Sequence, residues 1–221
     1  MNEPSWKRLP EGFPVPRQAT EKLLIERLLS SKTEAEYFRW LLFVASFYRG
    51  IEKPACARAL LQLFLETSSD PSQKVHCHLA LGQIAVDEQA LELALNHFLT
   101  ALGMDPKEKR ALYVLHNNAG YCFNRLGRFL DAERHCRLAV GIDGGRASAY
   151  RNLGLSLRGQ GNLTAAAWAL AEAVRADPGD GRARRLLAGL AAGAPALALQ
   201  CPWIERALCD PRYPTDPIPL I

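Results

Sequence analysis

The chain has 221 residues, 48% of them hydrophobic and 23% charged, with a formal net charge of +4, enough for one ordinary domain with a continuous core. No run of about 18 uninterrupted apolar residues occurs, which argues against a membrane span. The segment Met1–Trp6 has no basic stretch leading into an apolar one, which argues against secretion. Six cysteines (56, 77, 122, 136, 201, 209) show no Cys-x-x-Cys spacing, so reduced thiols in a cytoplasmic protein are expected rather than a disulfide framework. Residues 1–109 hold 13 Lys and Arg against 14 Asp and Glu, a balance of −1; residues 110–221 hold 14 against 9, or +5. That basic half lacks interleaved stacking aromatics, which argues against nucleic acid and points to acidic peptide segments or a free carboxylate.

In chain order, residues 1–16 contain Pro4, Pro10, Pro14 and Pro16 and should be irregular. A first helix is expected over 20–31, with Leu23, Leu24, Leu28 and Leu29 on its core face. A second, 34–49, starts at Thr33 as N-cap with Glu36 at the capping-box position, is rich in aromatics (Tyr37, Phe38, Trp40, Phe43, Phe47, Tyr48), and stops at Gly50. The aromatic cluster reads as packed core. Pro54 opens a third helix ending near Asp70-Pro71. The second and third helices read as a divergent hairpin of the kind that then recurs.

From Val75 the sequence nearly repeats itself. Asn118-Ala119-Gly120 lies over Asn152-Leu153-Gly154 at an offset of 34, with Gly127 on Gly161, Ala132 on Ala166, Cys136 on Leu170 and Ala139 on Ala173. Leu81-Gly82, Ala94, Phe98, Ala101 and Pro106 occupy the same positions in an earlier copy, whose register is longer by four residues, about one helical turn. Self-similarity at this period is the mark of a helical repeat array. Each unit reads as two amphipathic helices, A and B; in the third, Tyr150, Leu153, Gly154 and Leu157 form one stripe at i, i+3, i+4, i+7. A glycine inside a helix costs roughly 1 kcal/mol against alanine, so its recurrence implies a helix crossing too close for a Cβ. The turn 159–162 (Gly-Gln-Gly-Asn) supplies residues that accept φ > 0.

At these residues the chain resembles the tetratricopeptide repeat (TPR) family: Tyr150, Leu153, Gly154, Leu157, Ala166, Leu170, Ala173 and Pro178 match its pattern in the third copy. The second copy departs at Ala119 and Gly144, and the first has Gln89 in place of the turn glycine. The resemblance implies an all-α, right-handed superhelix of antiparallel helix pairs. The expected divisions are an irregular segment (1–16), a helix with a divergent hairpin (17–72), three repeats (73–180), and a capping helix with a proline-rich tail (181–221). The capping helix, 181–192, resembles another helix A without a partner, with Arg182, Arg184 and Arg185 on its outer face. Pro195 follows, then a short helix over 202–209. The tail 210–221 holds Pro211, Pro214, Pro217 and Pro219 and ends on apolar residues, which favours an extended chain.

With the core stripe of helix A at repeat positions 4, 7, 8 and 11, positions 2, 5, 6, 9, 12 and 13 fall on the opposite side, which lines the concave groove of stacked hairpins. The first copy places His76, Leu79, Ala80, Gln83, Val86 and Asp87 there; the second, Val114, Asn117, Asn118, Tyr121, Asn124 and Arg125; the third, Ser148, Arg151, Asn152, Leu155, Arg158 and Gly159. Asn118 and Asn152 share position 6, and an amide there can clamp a backbone amide of an extended peptide. The arrangement looks like the asparagine ladder of some TPR proteins, with two rungs because Ala80 fills the third. Arg125, Arg151 and Arg158 would add charge-assisted bonds to carboxylates, loosely resembling carboxylate-clamp TPRs. The alternative for these positions is a merely solvated helix face, or a local structural role for the two asparagines.

Adjacent residues on a helix point about 100° apart, so His76-Cys77-His78 does not make a metal site, and no cofactor is expected. The spacing of His97, His116 and His135, 19 residues each, is explained by packing at recurring positions. No nucleophile–base motif, phosphate loop or carboxylate pair is present, so no catalysis is expected. The expectation is a non-catalytic module that binds an extended polypeptide as adaptor, co-chaperone or assembly factor. The competing reading is a self-associating structural protein whose tail occupies its own or a neighbour's groove.

Overall fold

A computed structural model describes residues 4–210, and among them every regular element is a helix. None is long and apolar enough to cross a membrane. The chain divides into two compact units, 1–106 and 107–221.

The first unit comprises α1 (Ala19–Leu29), α2 (Glu34–Gly50), α3 (Pro54–Thr67), α4 (Pro71–Asp87) and α5 (Leu91–Gly103). Each packs on the next, and α2 also meets α4. Thr33 Oγ1 accepts the Glu36 N–H at 3.2 Å, while the Glu36 carboxylate accepts from Lys32 N–H at 2.9 Å. The expected capping box therefore closes one residue early. Helices α3 and α4 each begin with proline, where the missing N–H is an orphan in any case. Asp70 Oδ1 accepts the Ser72 N–H at 2.8 Å, so helix A of the first copy starts a turn before Val75.

The segment preceding α1 is irregular, yet it is packed. The Trp6 ring lies 5.4 Å from Tyr37, Phe13 stands edge-on to Tyr48 at 5.7 Å, and Tyr37 O–H donates to the Arg8 carbonyl at 2.9 Å. Of the α2 aromatics, Tyr37 and Tyr48 are buried, whereas Phe43 is 58% exposed. In α1 the buried stripe runs through Glu21, Leu24, Ile25 and Leu28; Leu23 falls off it and is exposed, contrary to expectation. Glu21 tolerates burial because Lys53 pairs with it and the N–H groups of Arg17 and Gln18 donate to it at 2.8 and 3.1 Å. The Lys53 bond foremost holds its carboxyl down to about 2.

The second unit comprises α6 (Lys109–Arg125), α7 (Phe129–Ile142), α8 (Ala147–Gly159), α9 (Leu163–Ala176), α10 (Gly181–Gly193), α11 (Pro195–Gln200) and α12 (Trp203–Cys209). Its helices stack in order through α10, with α6 against α8. The register gain before Tyr113 becomes extra helix: α6 has 17 residues against 13 in α8. Helix α10 is not left without a partner as expected. Helix α12 packs on α9 and α10, burying Trp203 and Ile204 with Leu170, Leu187 and Leu190. The short α11, unforeseen, forms directly at Pro195. The tail from 211 onward, and the self-association built on it, lie outside the described residues.

Helix A meets helix B at a glycine in all three repeats. A Cβ on Gly82 would stand 2.4 Å from the Phe98 ring, one on Gly120 2.5 Å from Cys136 Sγ, and one on Gly154 2.6 Å from Leu170 Cγ. The residue pressed against each glycine is the large one of helix B itself, between the fully buried alanines of its neighbouring turns. Each A helix then ends in the same turn. The N–H groups of Ala90, Arg128 and Asn162 donate to the carbonyls of Ala85, Phe123 and Leu157 at 2.9 to 3.0 Å, and Lys53 to Tyr48 likewise in the divergent hairpin. This closure requires a left-handed residue: Gly127 and Gly161 supply it at φ 75° and 81°, but Gln89 and Glu52 adopt it at φ 60° and 58°. The departures at 52 and 89 thus change residue type and keep the turn.

Gly154→Ala is expected to destabilise the fold by more than about 2 kcal/mol through overpacking, and Gly161→Ala by about 1 kcal/mol through left-handed strain. Gln89→Gly should cost nothing or stabilise; urea unfolding at neutral pH ranks the three.

Candidate functional site

A cavity of about 420 Å³ opens on one side of the second unit. Asn117, Asn118 and Tyr121 reach it from α6, Ser148, Arg151, Asn152 and Leu155 from α8, and Arg182, Arg185 and Leu186 from α10. The first seven are sequence-predicted site residues. Positions 5 and 6 of the repeat frame line it in all three helices, joined by position 2 in α8 and α10 and by position 9 in α6 and α8.

A lattice of amides joins α6 to α8 beneath the cavity. Asn152, only 6% exposed, donates from Nδ2 to Asn117 Oδ1 at 3.0 Å. Asn117 Nδ2 donates to Asn118 Oδ1 at 3.3 Å, and Asn124 Nδ2 to the Asn152 carbonyl at 2.8 Å. Asn124 Oδ1 is buried without a partner among the described residues. Asn152 is therefore a strut between helices, which is the structural alternative for that position. Asn118 also lines the cavity and accepts through Oδ1.

Arg151 is also spoken for. Its guanidinium pairs with Asp180, and the two side chains are only 20% and 10% exposed. Asp180 Oδ1 meanwhile accepts the N–H groups of Arg182 and Ala183 at 2.9 and 3.1 Å, capping α10. Burial pushes the Asp180 carboxyl up, but the Ala183 N–H, the Arg151 charge and the Arg182 N–H outweigh it and hold the carboxyl below its usual range. The ion pair consequently fixes the start of α10 against α8. Ser148 Oγ lies 2.7 Å from Tyr113 Oη, and Tyr121 Oη accepts from Arg125 Nη1 at 2.8 Å.

Arg125 and Arg158 are exposed and, like Asn124, do not line the cavity. His76 and Gln83 belong to the first unit, where a smaller hollow of about 170 Å³ is bounded by α2 and α4 and includes Ser46, Arg49 and Leu79. There Arg49 donates to Gln83 Oε1 at 3.2 Å and pairs with Asp87 at 2.5 Å. The residues that sequence reasoning missed are Arg182, Arg185 and Leu186. Placed on a presumed outer face, the two arginines instead border the cavity, and neither has a carboxylate partner among the described residues. Arg184 does turn away, donating to the Pro178 carbonyl at 3.0 Å. The frame held the signal: counted as a fourth helix A from Gly181, α10 puts Arg182, Arg185 and Leu186 at positions 2, 5 and 6.

The family profile of the tetratricopeptide repeat matches residues 79–147 and 151–217, together more than half of the chain. The chain belongs to the tetratricopeptide repeat family. Among solved structures, the first TPR of Spaghetti (RPAP3) bound to the HSP90 peptide SRMEEVD is 22% identical, covering 56% of this chain and 95% of that one, with a TM-score of 0.51. MamA from Desulfovibrio magneticus RS-1 is 17% identical over 77% of this chain and 94% of its own, at 0.60. YrrB, described as a TPR protein with an unusual peptide-binding site, is 19% identical over 88% and 93%, at 0.59. No curated protein matches the sequence. At these identities the structural neighbours speak for the TPR fold alone.

Asn152→Ala should destabilise this TPR protein by about 1–3 kcal/mol, because it removes a buried amide that bridges α8 to α6, whereas Asn118→Ala, at a partly exposed position where water replaces the lost bond, should stay within about 0.5 kcal/mol. Equal effects in thermal or urea unfolding would contradict the strut assignment.

Proposed function

We propose that the second unit binds an extended polypeptide through this cavity, and that the bound segment carries an acidic side chain or a terminal carboxylate. What carries the reading is the polarity of the lining. Several acceptors at the cavity are used within the protein: Asn117 Oδ1 by Asn152, Asn118 Oδ1 by Asn117, and the Asp180 carboxylate by Arg151. Donors remain, namely the Asn118 amide, the Tyr121 hydroxyl hydrogen and the guanidinium groups of Arg182 and Arg185. A ligand that satisfies them presents oxygen acceptors, and arginine matches a carboxylate bidentately. Leu155 and Leu186 give the same cavity an apolar wall, suited to a neighbouring aliphatic residue. Two structural relatives with peptide ligands or peptide sites in their descriptions add support.

The protein acts in this reading as a non-catalytic adaptor, co-chaperone or assembly factor. A cytoplasmic setting belongs to the proposal, motivated by six cysteines that form no disulfide among the described residues, four of them buried. A panel of fluorescein-labelled acidic heptapeptides, SRMEEVD among them, tests the reading by anisotropy. Acidic members are expected to bind more tightly than versions with lysine for glutamate and an amidated end, and Arg182→Ala with Arg185→Ala should weaken them at least tenfold. Indifference to peptide charge, or unchanged binding by the double variant, would remove the proposal.

A further inference from the structure

Two histidine pairs lie outside the cavity lining and recur at equivalent places. His78 of α4 faces His97 of α5, and His116 of α6 faces His135 of α7. In each the Nδ1 atoms are 3.0 Å apart, with ring centroids at 5.3 and 5.1 Å. A centroid separation close to the N···N distance plus the two ring radii means that the nitrogens meet head-on, the geometry of a proton held between them. Each pair joins helix A to helix B of one hairpin, and each lies within a single unit. The third hairpin has Tyr150 edge-on to Trp168 at 6.1 Å instead.

We propose that each pair is a proton-controlled latch, closed when the two imidazoles share one Nδ1 proton and forced open when both rings become protonated. In the closed state one ring donates Nδ1–H and its partner accepts through a bare Nδ1, carrying its own hydrogen on Nε2. A first added proton goes to the donor's Nε2, leaving an imidazolium–imidazole bond that is charge-assisted. A second must go to the accepting Nδ1, which sets two N–H groups and two positive charges face to face at 3.0 Å. The surroundings oppose that step. Lys74 on α4 acts on His78, and Arg134 on α7 acts on both His116 and His135, with Asp131 the opposing charge beside His135. The Phe123 ring of α6 sits 5.3 Å from His135. Burial foremost, then the partner ring, lowers His97 below the ordinary histidine range and brings His135 to about 4.

The direction of the effect follows. A histidine whose pKa is depressed by folding contributes stability that is complete above the unfolded value near 6.5 and is lost as pH falls toward 4. Carboxylates lose theirs lower, so the window from 6.5 to 5 belongs to the imidazoles. The test uses the full chain and needs no ligand. ¹⁵N-resolved histidine NMR at neutral pH should show one Nδ1–H and one Nε2–H ring in each pair. The folding constant from urea titrations should fall at least tenfold between pH 6 and pH 5, the change produced by one excess proton on the unfolded chain. His97→Gln with His135→Gln should flatten that slope. Four Nε2–H rings titrating near 6.5 in the unmodified protein, or an unaltered slope in a folded double variant, would overturn the latch.

Discussion

The close approach of helix A to helix B at a missing side chain is the constraint from which the rest follows. At Gly82, Gly120 and Gly154 no Cβ fits, since a phenylalanine ring, a cysteine sulfur or a leucine presses directly on the backbone. Glycine weakens a helix by itself, so its cost is offset only by the contact it permits. That contact sets the separation of the helices in each hairpin, and the common left-handed turn sets their direction. Once both are fixed, successive A helices within a unit present the same repeat positions to the same side, where α6, α8 and α10 converge.

The second unit uses polar groups to hold those A helices in register. Asn152 bridges to Asn117, and Arg151 ties α8 to the capping aspartate of α10. A largely buried ion pair of this kind contributes little net stability, but it is directional, and it fixes the start of α10, from which Arg182 and Arg185 emerge. The groups nearest the backbone thus serve as framework, and those further out are left to meet a guest. Of the two asparagines for which both a ligand-binding and a local structural role were open, Asn152 is a strut, and Asn118 lines the cavity.

Much of the fold was legible because packing demands recur with the repeat. The positions 8, 20 and 27 of each unit are buried against their neighbours, so residue size is restricted and the pattern shows in the chain. The turn was less legible: Glu52 and Gln89 stand where glycine is favoured, and only backbone geometry shows that they adopt its conformation. At the surface the sequence was least explicit. Leu23 is exposed and Glu21 buried, because a short helix with apolar residues on several sides is oriented by what docks on it.

By itself the sequence determined the repeat, its helical hairpins and the side of helix A that faces a groove, because periodic burial leaves a periodic record. Tertiary structure decided which of the polar residues on that side are consumed internally and which remain available. It also gave α10 a partner in α12 and brought Arg182 and Arg185, but not Arg184, to the cavity. Hydrogen bonds and ion pairs between helices depend on positions about 30 residues apart meeting within 3 Å, a coincidence that no local spacing encodes.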